Sequence, residues 1–137
     1  MTDNMTTDTA GAVTGGVRIL LRLEGLGLLA LCVLLYANSG LSWTAFAIMF
    51  FAPDLSFFGY LAGPRVGAVV YNLAHDTCGP LLLVILGYIF AAHAYVLAIA
   101  LIWLAHIGLD RALGYGLKYR AGFGYTHLGR IGRDAKT

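Results

Sequence analysis

Charged side chains are scarce in this chain. Asp, Glu, Lys and Arg make up only 12% of its 137 residues, whereas they make up about 25% of a typical soluble domain. A run of 33 residues from Thr77 to Leu109 contains none of the four. This deficit argues against an ordinary soluble domain, and the formal net charge of only +2 argues against a nucleic-acid partner.

Cysteine is almost as rare. Cys32 and Cys78 are the only two, and they do not form a Cys-x-x-Cys motif. Isolated cysteines of this kind are most often small buried hydrophobic side chains. We therefore predict that both are buried and take no part in chemistry.

Long apolar runs dominate what is present. The chain is 59% hydrophobic with a mean hydropathy of +0.77, and its apolar runs lack the alternation of barrel strands. The sequence therefore predicts an all-α polytopic membrane protein, with the third helix opened by Pro64 and kinked at Pro80. A single long helix over the last two segments is the alternative, but it would overshoot a bilayer core of ~30 Å. The predicted bundle of four transmembrane helices covers residues 16–37, 41–62, 64–91 and 94–113.

The predicted transmembrane domain, residues 16–113, is flanked by two segments of different composition. Residues 1–15 are polar and slightly acidic, which predicts a disordered tail rather than a signal peptide. Residues 114–137 are basic and rich in glycine and tyrosine, which predicts a cytoplasmic tail at the membrane interface, in part helical.

The basic residues are distributed asymmetrically across the predicted bundle. Both turns on one side, near residues 38–41 and 91–94, contain neither Lys nor Arg. By the positive-inside rule the other side, with both termini, is cytoplasmic. We therefore predict a multi-pass protein whose cytoplasmic side carries all nine basic residues, Arg18, Arg22, Arg65, Arg111, Lys118, Arg120, Arg130, Arg133 and Lys136.

Polar residues from all four predicted helices fall at a similar depth in the membrane. His106 and Asp110 are four residues apart, so they share one helix face. Ionisable groups within a membrane are expensive and usually face a bundle interior, so a shared site would offset their cost. By residue counting, the group within ~5–17 Å of the cytoplasmic ends is Glu24, Asp54, Asn72, His75, His106 and Asp110.

Imidazoles with carboxylates favour Zn²⁺, Mn²⁺ or Fe²⁺ over ions that prefer oxygen alone. A metal with an open position activates water, so hydrolysis is the natural reaction class. In this hypothesis Glu24 is a further ligand or the general base, Asn72 and His127 are additional candidate ligands, and an amphipathic or lipid-like substrate is hydrolysed. The predicted metal ligands are Asp54, His75, His106 and Asp110, and the predicted anion-binding residues are Arg22, Arg65 and Arg111.

Two other functions fit the same residues. The first is a carrier or channel module, as a homo-oligomer, in which Glu24, Asp54 and His106 relay protons or bind an ion. The second is a non-catalytic membrane subunit with a structural polar network. In that network Asp110 pairs with Arg111, and Glu24 pairs with a nearby arginine. Asp76, on another face from His75, is predicted to be an outer-shell residue or an ion-pair partner of Arg65.

Several segments together resemble a bacterial membrane family, domain of unknown function four-two-six-zero. The likeness covers about residues 18–132, implies four membrane spans in a bacterial inner membrane, and implies no particular activity. It is carried by Arg22-Leu-Glu24-Gly25, Ala52-Pro-Asp54-Leu-Ser56, Gly63-Pro-Arg65, Tyr71-Asn72-Leu-Ala-His75, Trp103 through Tyr119, and Thr126-His127-Leu-Gly-Arg-Ile.

A weaker likeness is to the YdjM-type membrane-bound metal-dependent hydrolases. Their His-x-x-x-Asp element is similar to His106-Ile-Gly-Leu-Asp110, and their Pro-Asp-x-Asp element is similar to Pro53-Asp54-Leu-Ser56 with Ser56 in place of the second Asp. His75 aligns with the last residue of their His-Arg-x-x-Thr-His element, in which Val70 and Tyr71 replace the first His and Arg. Because two expected ligands are missing, this likeness implies a polar site more than it implies hydrolysis.

Overall fold

The computed structural model describes residues 11–136. Most of the predicted N-terminal tail, residues 1–15, lies outside this range, so its disorder stays a prediction. Within the described range the chain forms five α-helices, two 3₁₀ helices and one short β-hairpin. The fold is therefore all-α apart from the hairpin, as predicted.

The first and last long helices form the core of the molecule. Helix α1 (Gly15–Ala37) packs along α5 (His93–Leu113), and Cys32 is buried between them with Leu101 and Ala105. Their backbones meet at two glycines. A Cβ on Gly25 would lie 2.9 Å from the Gly108 carbonyl oxygen, and a Cβ on Gly108 would lie 2.7 Å from the Gly25 carbonyl oxygen. Small residues permit this close contact, as is common between membrane helices.

The second predicted helix changes character half-way. Helix α2 (Trp43–Phe50) is followed by a 3₁₀ helix, Ala52–Ala62. Pro53 stands in the first turn of the 3₁₀ helix, and its ring removes one backbone donor and fixes φ. The prediction of one α-helix over 41–62 was therefore wrong in its second half, although Trp43–Ala62 remains a continuous apolar segment of 20 residues.

The third predicted helix is broken rather than kinked at Pro80. Helix α3 (Pro64–His75) and helix α4 (Cys78–Ile89) meet at an angle of 45°. Proline lacks an N–H, and in a helix it clashes with the carbonyl four residues earlier, here that of Asp76. The break consequently lies at residues 76–77. The Asp76 carboxylate accepts hydrogen bonds there from the N–H groups of Cys78 (2.7 Å) and Gly79 (3.3 Å). Asp76 is thus a helix cap, not the predicted partner of Arg65.

The break between α4 and α5 confirms two helices in place of a single long one. Ala91 adopts a left-handed conformation with φ of 55°, and α5 begins at His93. Cys78, predicted to be buried, is exposed at the start of α4.

The apolar helices confirm a polytopic membrane protein. Three segments are long and apolar enough to span a bilayer, Gly15–Ala37, Trp43–Ala62 and His93–Leu113, and the bent pair α3–α4 is a fourth if it crosses as one span. Many large apolar side chains on these helices are exposed, as expected for surfaces that contact lipid. The 3₁₀ helix packs on α3.

The C-terminal segment folds back onto the helices. Strand β1 (Tyr125–Thr126) pairs antiparallel with β2 (Gly129–Arg130), and a second 3₁₀ helix covers Gly132–Lys136. The N–H of His127 donates to the Leu117 carbonyl (3.1 Å), so residues 117–119 run beside β1. Leu128 is completely buried. This segment is therefore a packed cap, and its predicted place at the membrane interface stays a prediction.

Candidate metal centre

Four of the predicted metal ligands meet at one point. Asp54 comes from the 3₁₀ helix, His75 is the last residue of α3, and His106 and Asp110 lie one turn apart on α5. One ligand atom from each lies within 4.8 Å of the others. Both imidazoles are buried, the Asp110 side chain is 18% exposed and the Asp54 side chain is 33% exposed. This group could hold a metal ion.

The distances within the cluster are uniform. His75 Nε2 lies 3.4 Å from both Asp54 Oδ1 and Asp110 Oδ2. His106 Nε2 lies 3.3 Å from Asp54 Oδ1 and 3.5 Å from Asp110 Oδ2. The two Nε2 atoms are 3.2 Å apart. Each imidazole nitrogen therefore faces both carboxylates and the other imidazole.

The break after α3 is what brings His75 to the cluster. The indole N–H of Trp103 donates to the Ala74 carbonyl (2.6 Å), and Arg111 donates to the His75 carbonyl (3.1 Å). Both donors are on α5, so they satisfy carbonyls that the broken helix leaves without intrahelical partners. The end of α3 is thereby held against the helix that carries His106 and Asp110.

The ring of His75 is oriented by its own helix. Its Nδ1 lies 2.9 Å from the Tyr71 carbonyl, and because a carbonyl can only accept, Nδ1 carries the proton. Nε2 is then left with a lone pair directed at the cluster, the tautomer that metal ligation requires. The Tyr71 ring stacks on the imidazole at 3.8 Å, and its hydroxyl donates to Asp110 Oδ2 at 3.4 Å.

His106 is held by packing instead. The edge of the Phe50 ring lies against it, with 5.2 Å between ring centroids. Its Nδ1 is buried without a hydrogen-bond partner among residues 11–136. His106 therefore lacks the outer hydrogen bond that His75 has.

Charge makes the cluster costly unless a cation is present. With both carboxylates ionised and both imidazoles neutral, the cluster would carry a net charge of about −2. Ionised groups within a membrane protein are unfavourable unless they are paired. A divalent cation would bring the total to zero.

The other two candidate ligands, Asn72 and His127, hold the C-terminal cap. The Asn72 side chain donates to the Lys118 carbonyl (2.9 Å) and accepts from the Lys118 N–H (2.7 Å). His127 Nδ1 accepts from the Leu117 N–H at 2.9 Å. Burial, together with the nearby charge of Arg111, lowers the pKa of His127 and so favours the neutral ring that this bond needs. Neither side chain belongs to the cluster.

Glu24, Arg22 and Arg65 are not gathered with the cluster, whereas Arg111 binds the backbone of one of its residues. Glu24 is exposed on α1. Arg22 donates to the Ala112 carbonyl (2.8 Å) at the end of α5, and Arg111 donates to the His75 carbonyl. Arg65 is exposed beside Arg120. The three arginines therefore lie apart, and two of them cap helix ends.

Sequence reasoning missed Tyr71 and Lys118. Tyr71 precedes His75 by four residues, so helical spacing could have indicated it. Lys118 is only 4% exposed, and its Nζ lies 4.9 Å from the Tyr71 ring centroid and 3.8 Å from that of Phe123. Its position depends on the fold of the C-terminal cap, which no local sequence pattern predicts.

An apolar cavity on the membrane-spanning helices is lined by chain neighbours of the clustered residues, although none of the four clustered side chains lines it. Its volume is about 270 Å³. Pro53 and Ala74 in its wall are the neighbours of Asp54 and His75 in the chain, and Trp103 lies one turn before His106. The lining residues are Met49, Ala52, Pro53, Ala74, Ile99, Ile102 and Trp103.

Comparisons with known proteins identify the family. No curated protein and no solved structure matches the chain. The model of one family, described as Domain of unknown function (DUF4260), matches residues 18–131. The match includes all four residues of the cluster as well as Tyr71 and Lys118. Because it spans most of the chain, the protein belongs to the DUF4260 family.

Proposed function

We propose that the protein is a membrane-embedded, metal-dependent hydrolase with zinc at the Asp54–His75–His106–Asp110 cluster. The observation that carries this proposal is the spacing of the donor atoms, 3.2–3.5 Å for five of the six pairs. Tetrahedral zinc with bonds of 2.0–2.2 Å needs ligand separations of roughly 3.3–3.6 Å. Adjacent ligands of octahedral Mg²⁺ would be closer, at about 2.9 Å.

The donor set supports the same choice. Two imidazoles and two carboxylates suit zinc, and also Mn²⁺ or Fe²⁺, better than ions that bind oxygen alone. The hydrogen bond from His75 Nδ1 to the Tyr71 carbonyl is the outer contact that zinc-bound histidines usually make. A divalent charge also matches the two carboxylates.

Because the four side chains fill the four tetrahedral positions, a bound zinc ion would take the attacking water as a fifth ligand and would lower the pKa of that water. Asp54 is the most exposed of the four side chains, and only its Oδ1 faces the imidazoles. Its second oxygen is left to accept a proton from water, so we assign Asp54 the role of general base. Glu24, the predicted base, stands outside this scheme because it is exposed on α1 away from the cluster.

The substrate class follows from the surroundings of the cluster. The apolar cavity of about 270 Å³ is smaller than a whole drug-sized site, so it suits one hydrocarbon segment of an amphipathic molecule. The asymmetry of basic residues favours the cytoplasmic leaflet. We therefore propose a lipid-like substrate in the inner membrane of a bacterium.

The carrier hypothesis has less support. It requires Glu24, Asp54 and His106 to exchange a proton or ion, but Glu24 is not among the clustered residues. Residues 96–102 of α5 are all apolar, which gives a relay along this helix no polar step over that stretch.

Metal content in the purified protein tests the proposal. The wild type is expected to hold about one zinc ion per chain, and His106→Ala and Asp110→Ala are expected to lose it because each removes a ligand. Elemental mass spectrometry on the folded, detergent-purified protein gives the ratio. Glu24→Gln is the matched control, since it removes a carboxylate of the same bundle from outside the cluster.

The same preparations are assayed for hydrolysis of long-chain p-nitrophenyl esters and phosphodiesters. Hydrolytic activity should follow the zinc content of each variant. Asp54→Asn should lose a larger fraction of its activity than of its zinc. Protein that is folded and metal-free after incubation with Zn²⁺, Mn²⁺ and Fe²⁺ would overturn the metal site. Zinc-loaded protein with no activity in wild type would leave a structural zinc site and overturn the hydrolase.

A further inference from the structure

The Lys118 side chain is buried, and its ammonium group has no hydrogen-bond acceptor among the described residues. Its side chain is 4% exposed, and its Nζ lies above the faces of Phe123 (3.8 Å) and Tyr71 (4.9 Å). Within residues 11–136 no carboxylate, hydroxyl or carbonyl accepts a hydrogen bond from the ammonium group. Aromatic faces attract a cation, but they are not conventional acceptors for its three N–H donors. These donors are therefore left for an acceptor from outside the protein.

The backbone at Lys118 is fixed beside α3. Asn72 binds both the N–H and the carbonyl of Lys118, at 2.7 and 2.9 Å. A bridge to Thr126 on the hairpin holds the same residue from its other side. The ammonium group is thus positioned by the fold and is not a mobile surface charge.

One aromatic ring connects Lys118 to the metal centre. The Tyr71 ring that lies below the ammonium also stacks on His75 at 3.8 Å, and its hydroxyl reaches Asp110. A ligand group beside Lys118 would therefore lie next to the cluster. The positive charge therefore lies one aromatic ring away from the clustered side chains.

We propose that Lys118 binds an oxyanion, the phosphate or carboxylate group of the molecule that occupies the cluster. The proposal rests on the proposed function for the identity of that molecule, and it adds that the substrate is anionic. It also moves anion binding from Arg22 and Arg111, whose guanidinium groups cap helix ends, to a residue of the C-terminal cap. The oxyanion would supply the acceptors that the ammonium lacks.

Phosphate binding to the full-length, detergent-purified protein tests this inference. Isothermal titration with inorganic phosphate and with octyl phosphate gives two dissociation constants. For whichever probe the wild type binds, Lys118→Met should raise the dissociation constant by about tenfold or more, since it removes a charge-assisted hydrogen bond. Lys118→Arg should retain most of the affinity, because it keeps the charge and the donors.

Arg133→Met is the matched control, since it removes one exposed positive charge from the same C-terminal segment. Its affinity should equal that of the wild type. Binding of octyl phosphate alone would identify a lipid headgroup, and equal binding of both probes would identify a free phosphate.

Two outcomes would overturn the inference. One is wild-type protein that binds neither probe. The other is Lys118→Met protein that binds as tightly as wild type, because the anion would then bind without Lys118. This holds whether or not His106→Ala abolishes binding. Zinc content is measured on every variant. Lys118→Met protein that keeps zinc and loses phosphate would confirm the inference, whereas failure of the metal site would appear as zinc-free wild type.

Discussion

The charge state of Lys118 is set by its surroundings. Burial lowers the pKa of this lysine to about 8, from an ordinary value of 10.5, although Asp110 acts in the opposite direction. At neutral pH the residue is therefore mostly protonated, and folding must then remove a charged ammonium from water. A bound oxyanion would offset this cost.

The depressed pKa predicts how stability depends on pH. Between pH 8 and 10.5 the unfolded chain keeps the Lys118 proton while the folded chain has released it, so stability contributed by this residue rises with pH in that window. Compared with Lys118→Met, the wild type should gain about 3 °C or more in thermal midpoint across it. Thermal unfolding in detergent, followed by circular dichroism in both proteins, measures the difference. A constant difference from pH 7 to pH 10.5 would contradict the assigned burial.

At the scale of single residues, the sequence predicted which four side chains come together, but not what surrounds them. His106 and Asp110 share a helix face by spacing alone, and residue counting placed Asp54 and His75 at the same depth. Counting along a helix says nothing about the direction in which a side chain points, so Glu24 was grouped with them although it is exposed on α1. Lys118 could not be found because its burial is a property of the folded cap.

Two prolines determine where the helical elements change. Pro53 stands in the first turn of the 3₁₀ helix that carries Asp54. Pro80 causes α3 to end at His75. Both prolines are evident in the sequence, which predicted a kink at Pro80. It did not indicate that the hydrogen bonds lost at Pro80 would move the break to residues 76–77. A proline acts on the turn before it, so the break precedes the residue that causes it.

The contact between α1 and α5 depends on glycine at two positions. A Cβ at Gly25 would lie 2.8 Å from the backbone nitrogen of Ala112, so Gly25→Ala must push the helices apart. We expect a loss of about 1–3 kcal/mol, seen as a thermal midpoint lower by roughly 3–10 °C in detergent.

Gly27→Ala is the control on the same helix, because a Cβ there meets nothing within 4 Å. It should be neutral or slightly stabilising, since alanine favours helix. Equal midpoints for the two variants would show that α1 and α5 do not pack as described.

The structural class of the whole molecule agrees with its amino-acid composition. Scarce charge and long apolar runs predicted the helical membrane class, and the three apolar segments together with the bent α3–α4 pair allow three or four spans. The hairpin of the cap was not predicted, because its strands are only two residues each and leave no periodic pattern. Homo-oligomerisation stays a prediction.

The orientation of the molecule can be tested directly. We expect both termini to face the cytoplasm, because the turns near 38–41 and 91–94 lack basic residues. In a chain with Cys32→Ala and Cys78→Ala, single cysteines are introduced as Thr9→Cys, Thr137→Cys or Ser39→Cys. A membrane-impermeant maleimide added to intact cells should label only Ser39→Cys. Labelling of one terminus without the other would contradict an even number of spans.

The four clustered side chains come from two pairs of packed elements. Asp54 and His75 belong to the 3₁₀ helix and α3, which contact each other through Gly59 against Val70, whereas His106 and Asp110 belong to α5, which packs on α1. In polymer terms, an ion held by these residues is a cross-link that closes a loop of roughly fifty residues, and loop closure of that size restricts the unfolded chain. The ion would then fasten one pair to the other, so that metal binding would also stabilise the folded bundle.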